Sequence, residues 1–287
     1  MYPRGAVIKF AAAVYFLFYP AKRHECSWSE FFVPAFYTLN ETTADVLPQT
    51  NKSATGSSLS GFNWVDQSPA IISRIHTGAP AVALTFDLCP RLSTNAFDNE
   101  LFEFLLTERI PATIFISGGW LIRNSNAAER IKNSDGFEIA NHGLQHRPAS
   151  LHGRSRYRIK GTLDAHSLFH EIVSNEVLLE GFYHVRPKWY RSATACYEHD
   201  ALSFIRAQGF LIAGYTLAGD SAAGRGVRFT HEILYNIKPG DIVLIHLNRP
   251  GTGTAAAVIP HVRRLKKNGF VFVRLSDCVY REGQLYY

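Results

Sequence analysis

From about residue 78 onward the chain alternates two kinds of segment: short runs apolar at nearly every position, and longer stretches with an apolar stripe at helical spacing. The apolar runs fall at 81–87, 112–117, 137–140, 187–191, 210–215, 241–246 and 270–274. Between them the pattern predicts helices at about 97–109, 119–133, 163–181, 197–208, 230–236 and 254–267. The first of these places Phe97, Leu101, Phe104, Leu105 and Ile110 near one face. Gly209 and Gly269 stand where a helix must yield to a strand. A strand with one wet face alternates polar and apolar residues, whereas a strand covered on both faces does not have to. These runs therefore predict a parallel sheet with crossover helices, an α/β fold. Closing it gives a deformed (β/α) barrel of TIM type with about seven parallel strands; an open doubly wound sheet is the alternative. Either way, chemistry belongs at the C-terminal ends of the strands.

The barrel domain is expected over 78–287. Residues 22–77, rich in Ser, Thr, Asn and Ala, read as a low-complexity lead-in or tether. Ahead of them, Arg4 and Lys9 precede the apolar run 10–19, which is too short to span a bilayer. Residues 1–21 thus read as a signal peptide cut near Ala21, or as an uncleaved anchor that would be the chain's one membrane contact. Export to the periplasm, the cell envelope or the medium follows. Cys26, Cys89, Cys196 and Cys278 match no zinc-finger spacing but are compatible with disulfides in an exported protein. The charge is mild, 30 Lys and Arg against 24 Asp and Glu, and its dispersal implies no nucleic-acid partner.

Polar residues fall where the fold would use them. Asp87 ends the first strand, His142 follows the third, Arg191 ends the fourth, Asp220 follows the fifth and His246 ends the sixth. His142 and His146 are four apart, a spacing that puts both rings on one side of a helical turn and aims two lone pairs at one point. Neutral imidazole is a common metal ligand. Each residue has a bland alternative: Asp87 as a helix cap, the histidines as buried core groups, Arg191 and Asp220 as surface ion pairs. Five capable residues at five strand ends argue against packing alone.

The run Ala83-Leu-Thr-Phe-Asp87, the Asn141-His-Gly-Leu-Gln-His146 motif, Tyr190-Arg191 and Val243-Leu-Ile-His246 together resemble the polysaccharide deacetylase family (NodB homology, carbohydrate esterase 4). The resemblance covers roughly residues 80–276. It implies a deformed barrel and a divalent metal, usually Zn2+, that activates water to hydrolyse an N-acetyl group. One departure stands out. Where the family ends its first strand in two aspartates, a base and a metal ligand, this chain has Asp87 followed by Leu88 and Cys89. It resembles a branch with that Asp-apolar-Cys pattern, in which the Gly219-Asp220 and His246-Leu-Asn248-Arg-Pro250 elements recur.

Two roles compete for Asp87, that of general base and that of third metal ligand beside His142 and His146. The reading leans toward the metal contact, with base function shared. Cys89 pairs with Cys196 in a disulfide, stays a free thiol, or ligates the metal. The resemblance implies that His246 is the general acid, since amide hydrolysis needs a proton on its departing amine. Asp220 would hold and charge-stabilise His246, and Arg191 would position Asp87 or the substrate. Trp120, Trp189, Tyr190 and Tyr215 are candidate sugar platforms, but aromatics at strand ends are more often core.

The expectation is an exported, metal-dependent hydrolase. It removes N-acetyl groups from an envelope polysaccharide such as peptidoglycan or another N-acetylglucosamine polymer. Two rivals remain open: a hydrolase of a small amide or O-acetyl ester on the same fold, and a non-catalytic glycan-binding relative.

Overall fold

The computed structural model describes residues 63–90, 96–220 and 226–287, so the expected signal segment lies outside the described residues. The fold is built on one parallel sheet. In chain order its strands are β1 (Ile71–Ile72), β2 (Ala81–Leu88), β3 (Ala112–Ile116), β4 (Phe137–Asn141), β5 (Trp189–Tyr190), β6 (Leu211–Ala213), β7 (Leu217–Ala218), β8 (Ile242–His246) and β9 (Val271–Phe272). They lie side by side in the order β7-β8-β2-β3-β4-β5-β6-β1, with β9 pairing the start of β2. This is the expected barrel of parallel strands in deformed form, curled but without pairing between its two edge strands among the described residues.

Strands β6 and β7 lie toward opposite ends of the sheet, yet only Gly214, Tyr215 and Thr216 separate them in sequence. Such a link reaches at most about 14 Å, so the sheet is curled nearly shut. The link closes the gap with backbone bonds to either side, Gly214 N–H to Ile72 O (2.8 Å) and Thr216 N–H to Ile242 O (2.9 Å). The single strand expected at 210–215 is therefore two short ones with a crossing between them. Asp220 follows the second, β7, and not the first.

The longest strand shows how the sheet sorts its faces. Val82, Leu84, Phe86 and Leu88 point outward and pack with Leu101, Leu105, Val258 and Leu265 of the helical layer. Ala81 and Ala83 point inward with Phe115, Ala140, Trp189 and Ala213, followed on the same face by Thr85 and Asp87. Small residues on the concave side leave room for the polar groups above them. The lower end is filled by the turn Leu275–Asp277, where Glu138 accepts from Thr113 Oγ1 (2.8 Å) and Ser276 N–H (3.1 Å). Glu138 thus serves the floor of the barrel.

Two expectations shift. Residues 64–76 belong to the fold: Trp64–Val65 pairs Tyr197–Glu198, β1 extends the sheet, and Ile75–His76 joins a C-terminal hairpin. The domain starts before residue 78, and its first strands are two residues each, too short to show a period. The helix expected at 163–181 is broken into Ala165–Phe169, a π-helical turn His170–Ser174, and Asn175–Tyr183. No described helix is long and apolar enough to cross a membrane.

Candidate active site

Strand register assembles the site. β8 and β2 are parallel neighbours with His246 level with Asp87, so both side chains leave the sheet on one face at the same rim. Asn141 ends β4 opposite Tyr190 of β5, which brings His142 and Arg191 to that rim as well. His142 Nδ1–H donates to the Arg191 carbonyl oxygen (2.8 Å), which fixes the tautomer and turns Nε2 inward. Asp87 Oδ2 stands 3.7 Å from that nitrogen.

Arg191 is fully buried. Its Nη1 donates to Asp87 Oδ1 (2.8 Å) and to Thr85 Oγ1 (2.9 Å), and its Nη2 donates to Gly214 O (2.9 Å). The guanidinium also lies 4.1 Å from the Phe115 ring centre. Arg191 therefore fixes one oxygen of Asp87 and ties it to the strand crossing, leaving the other oxygen for chemistry.

His246 Nδ1–H donates to Asp220 Oδ1 (2.8 Å), and its backbone N–H donates to Asp220 Oδ2 (2.9 Å). Both residues are buried. Burial alone would depress the imidazole, but the Asp220 charge and hydrogen bond, with Cys89 adding to them, push it up to about 10. The ring is thus a stable proton carrier with Nε2 unused by Asp220.

The His142–His146 pair meets as expected, with ring centres 4.8 Å apart, but not on a helical turn. Residues 142–148 form an irregular loop in which Gly143 (φ +80°) and His146 (φ +61°) are left-handed. What shapes the loop is a buried bracket from the broken helix. The Glu171 carboxylate accepts from Gln145 N–H (3.0 Å) and Arg147 N–H (2.9 Å), and Glu171 O accepts from Leu144 N–H (2.8 Å). Asn175 Nδ2 donates to Asn141 Oδ1 (2.7 Å), which also accepts from Gly143 N–H (2.9 Å). A Cβ on Gly143 would sit 2.3 Å from Glu171 Oε1, so only glycine fits there. The π-helical turn is what sets Glu171 under the loop, in keeping with such bulges at functional sites. Sequence reasoning missed Glu171 and Asn175; the one available signal was acid and amide side chains on a helix face that should be apolar.

Cys89 is not paired with Cys196; both are free thiols. Instead Cys89 Sγ lies 3.5 Å from His142 Nε2. Burial works against a thiolate there, but His146, His142 and His246 around it outweigh burial and hold its pKa well below the ordinary thiol value. Ligand atoms of Cys89, His142 and His146 all lie within 4.8 Å of one another, a donor set with the chemistry to hold a divalent metal. Of the expected aromatic platforms, Trp120, Trp189 and Tyr190 are buried core residues.

The chain as a whole has counterparts among known proteins. The polysaccharide deacetylase family model matches residues 62–213, more than half of the chain. The chain belongs to the polysaccharide deacetylase family. With membership comes the reaction class of an N-deacetylase, hydrolysis of the carbon–nitrogen bond of a linear amide. A chitooligosaccharide deacetylase of Sinorhizobium fredii is 25% identical over 176 residues, which cover 61% of this chain and 75% of that protein. Two solved structures share the fold. A carbohydrate esterase 4 pseudoenzyme from Bacillus anthracis gives TM-score 0.61 at 20% identity, covering 74% of this chain and 69% of its own. The peptidoglycan deacetylase PdaC from Bacillus subtilis gives 0.56 at 22%, covering 70% and 90%.

Proposed function

We propose that this polysaccharide deacetylase is an exported, metal-dependent enzyme that removes N-acetyl groups from an envelope polysaccharide, peptidoglycan or another N-acetylglucosamine polymer. The observation that carries the reading is the convergence of Asp87, His142, His146 and His246 on one rim of the barrel. The names of two relatives, a chitooligosaccharide deacetylase and a peptidoglycan deacetylase, support the substrate class. The run at 10–19 supports export.

His142 and His146 would hold the cation, with zinc the fitting choice for a set of nitrogen and sulfur donors. When bound, such a cation supplies Lewis-acid polarisation of the acetyl carbonyl and lowers the pKa of water. Asp87 Oδ2, oriented by the grip of Arg191 on Oδ1, takes the proton from the attacking water. His246 gives its Nε2 proton to the amine nitrogen as the carbon–nitrogen bond breaks, because an unprotonated amine is a poor leaving group. Asp220 orients the imidazole and stabilises its charge. Water adds to the acetyl carbonyl, and the products are acetate and a free amino sugar.

The test is acetate release from N-acetylglucosamine oligomers and from peptidoglycan, before chelation, after it, and after zinc is restored. Acetate that disappears with the metal and returns with it supports the reading. Acetate release unaffected by full metal removal, or none from a zinc-loaded protein, refutes it.

A further inference from the structure

We infer that Cys89 completes the metal site as a thiolate, giving a Cys–His–His set in which Asp87 is left outside as the base. This deepens, and rests on, the metal-dependent reading above.

Four observations carry it. The ligand atoms within 4.8 Å of one another belong to Cys89, His142 and His146, and Asp87 is not in that group. Zinc bonded tetrahedrally to sulfur at 2.3 Å and to nitrogen at 2.0–2.1 Å holds the two about 3.6 Å apart; Cys89 Sγ and His142 Nε2 are 3.5 Å apart. Asp87 has one oxygen committed to Arg191, so the pair behaves as one fixed unit beside the site. Strand geometry supplies the fourth. Leu88, at the family's second-aspartate position, is fully buried in the outward layer and cannot reach the rim.

The next inward residue is Cys89. Pro90 after it disfavours helical backbone at Cys89, so the extended alternation continues one residue past the strand. The Cys89 carbonyl is then anchored by Asn248 Nδ2 (2.7 Å), so the His-x-Asn element holds the ligand-bearing residue in place. Leu88 is thus not a lost ligand; the ligand has moved one residue along and changed from oxygen to sulfur. Binding exchanges the thiol proton for the cation, so metal uptake releases one proton at Cys89 when the thiol is protonated beforehand. A thiolate also tilts selection toward zinc and away from the harder manganese and magnesium.

The test uses the full chain, stripped of metal and reloaded with cobalt(II) or zinc. Wild type and Asp87→Asn should both show a thiolate-to-cobalt charge-transfer band in the near ultraviolet, and Cys89→Ser should lack it. Zinc affinity of Cys89→Ser should fall by roughly 100-fold or more, beyond the range for a supporting residue. Zinc should also slow alkylation of wild-type Cys89, mapped by peptide mass, by roughly tenfold or more, because a ligated sulfur is a masked nucleophile. That readout decides the matter if the serine variant fails to fold. Three results overturn the inference while leaving the metal reading intact: wild type binds cobalt without the band, Cys89→Ser keeps band and affinity, or zinc does not protect Cys89. An acetyl group captured on Cys89 would make it a nucleophile and overturn the inference too. A wild-type protein that binds no metal sinks the metal reading itself, before any variant is made.

Discussion

Glu171→Gln isolates the support beneath the paired histidines. In the native loop the carboxylate takes Gln145 N–H with both oxygens (3.1 and 3.0 Å) and Arg147 N–H with Oε1 (2.9 Å). Glutamine keeps one accepting oxygen, so one contact is replaced by an NH2 group facing an N–H. A buried donor left without its acceptor costs about 1–3 kcal/mol. The loop carries His146 between the two N–H groups so held and His142 just ahead of them, so the loss should fall on the geometry of the pair. At about 1.4 kcal/mol per tenfold, that is a weakening of zinc binding by roughly 5- to 150-fold, centred on the roughly 10- to 100-fold typical of supporting residues at metal sites. The assay is zinc affinity by competition with a chromophoric chelator, alongside a denaturation curve. It is best made on the alkaline side, because burial raises Glu171 to about 7 and a protonated wild type would mimic the variant. A folded variant with wild-type zinc affinity would show that the bracket does not shape the site.

Three further perturbations separate the roles at the rim. Asp87→Asn should retain zinc at wild-type stoichiometry while turnover falls by about 10²–10⁴, the usual worth of a positioned base; loss of the metal would instead make Asp87 a ligand. Arg191→Met leaves the buried Asp87 carboxylate without its partner, and breaking such a pair costs about 3–5 kcal/mol, read as a lower denaturation midpoint; an unchanged midpoint would contradict the geometry of the pair. Asp220→Asn removes a negative charge that raises His246, so the alkaline limb of kcat/KM should move to lower pH as kcat falls; an unshifted limb would take His246 out of the acid role.

Strands buried on both faces were the most legible part of this chain. β2, β3, β4 and β8 lie within a residue or so of the apolar runs because parallel strands under helices are apolar at nearly every position. The same logic put Asp87, His142, Arg191 and His246 on one rim. It failed where elements are too short to carry a period: two-residue β1 and β7 escaped, and so did the crossing at Gly214–Thr216 that nearly closes the sheet. The His-x-x-x-His spacing led to two rings that do meet, but not through the helical turn it implied. Helical spacing and a loop with left-handed Gly143 and His146 both bring the rings together, and in the loop Glu171 packs directly against Gly143. Glu171 and Asn175 were invisible because their partners lie 24 and 34 residues away in sequence and meet them only through the register of a π-helical turn. Sequence leaves Cys89 three roles that it does not separate; the position of its sulfur among imidazoles removes the disulfide.

Water cleaving an acetyl amide at this rim is the claim on which the rest depends. The direct measurement is mass analysis of products from the zinc-loaded protein acting on an N-acetylglucosamine oligomer in heavy-oxygen water. The expected products are acetate carrying the heavy oxygen and an oligomer of unchanged chain length with a free amine in place of each acetamide. Unlabelled acetate, shortened chains, or an oligomer returned fully acetylated would contradict it.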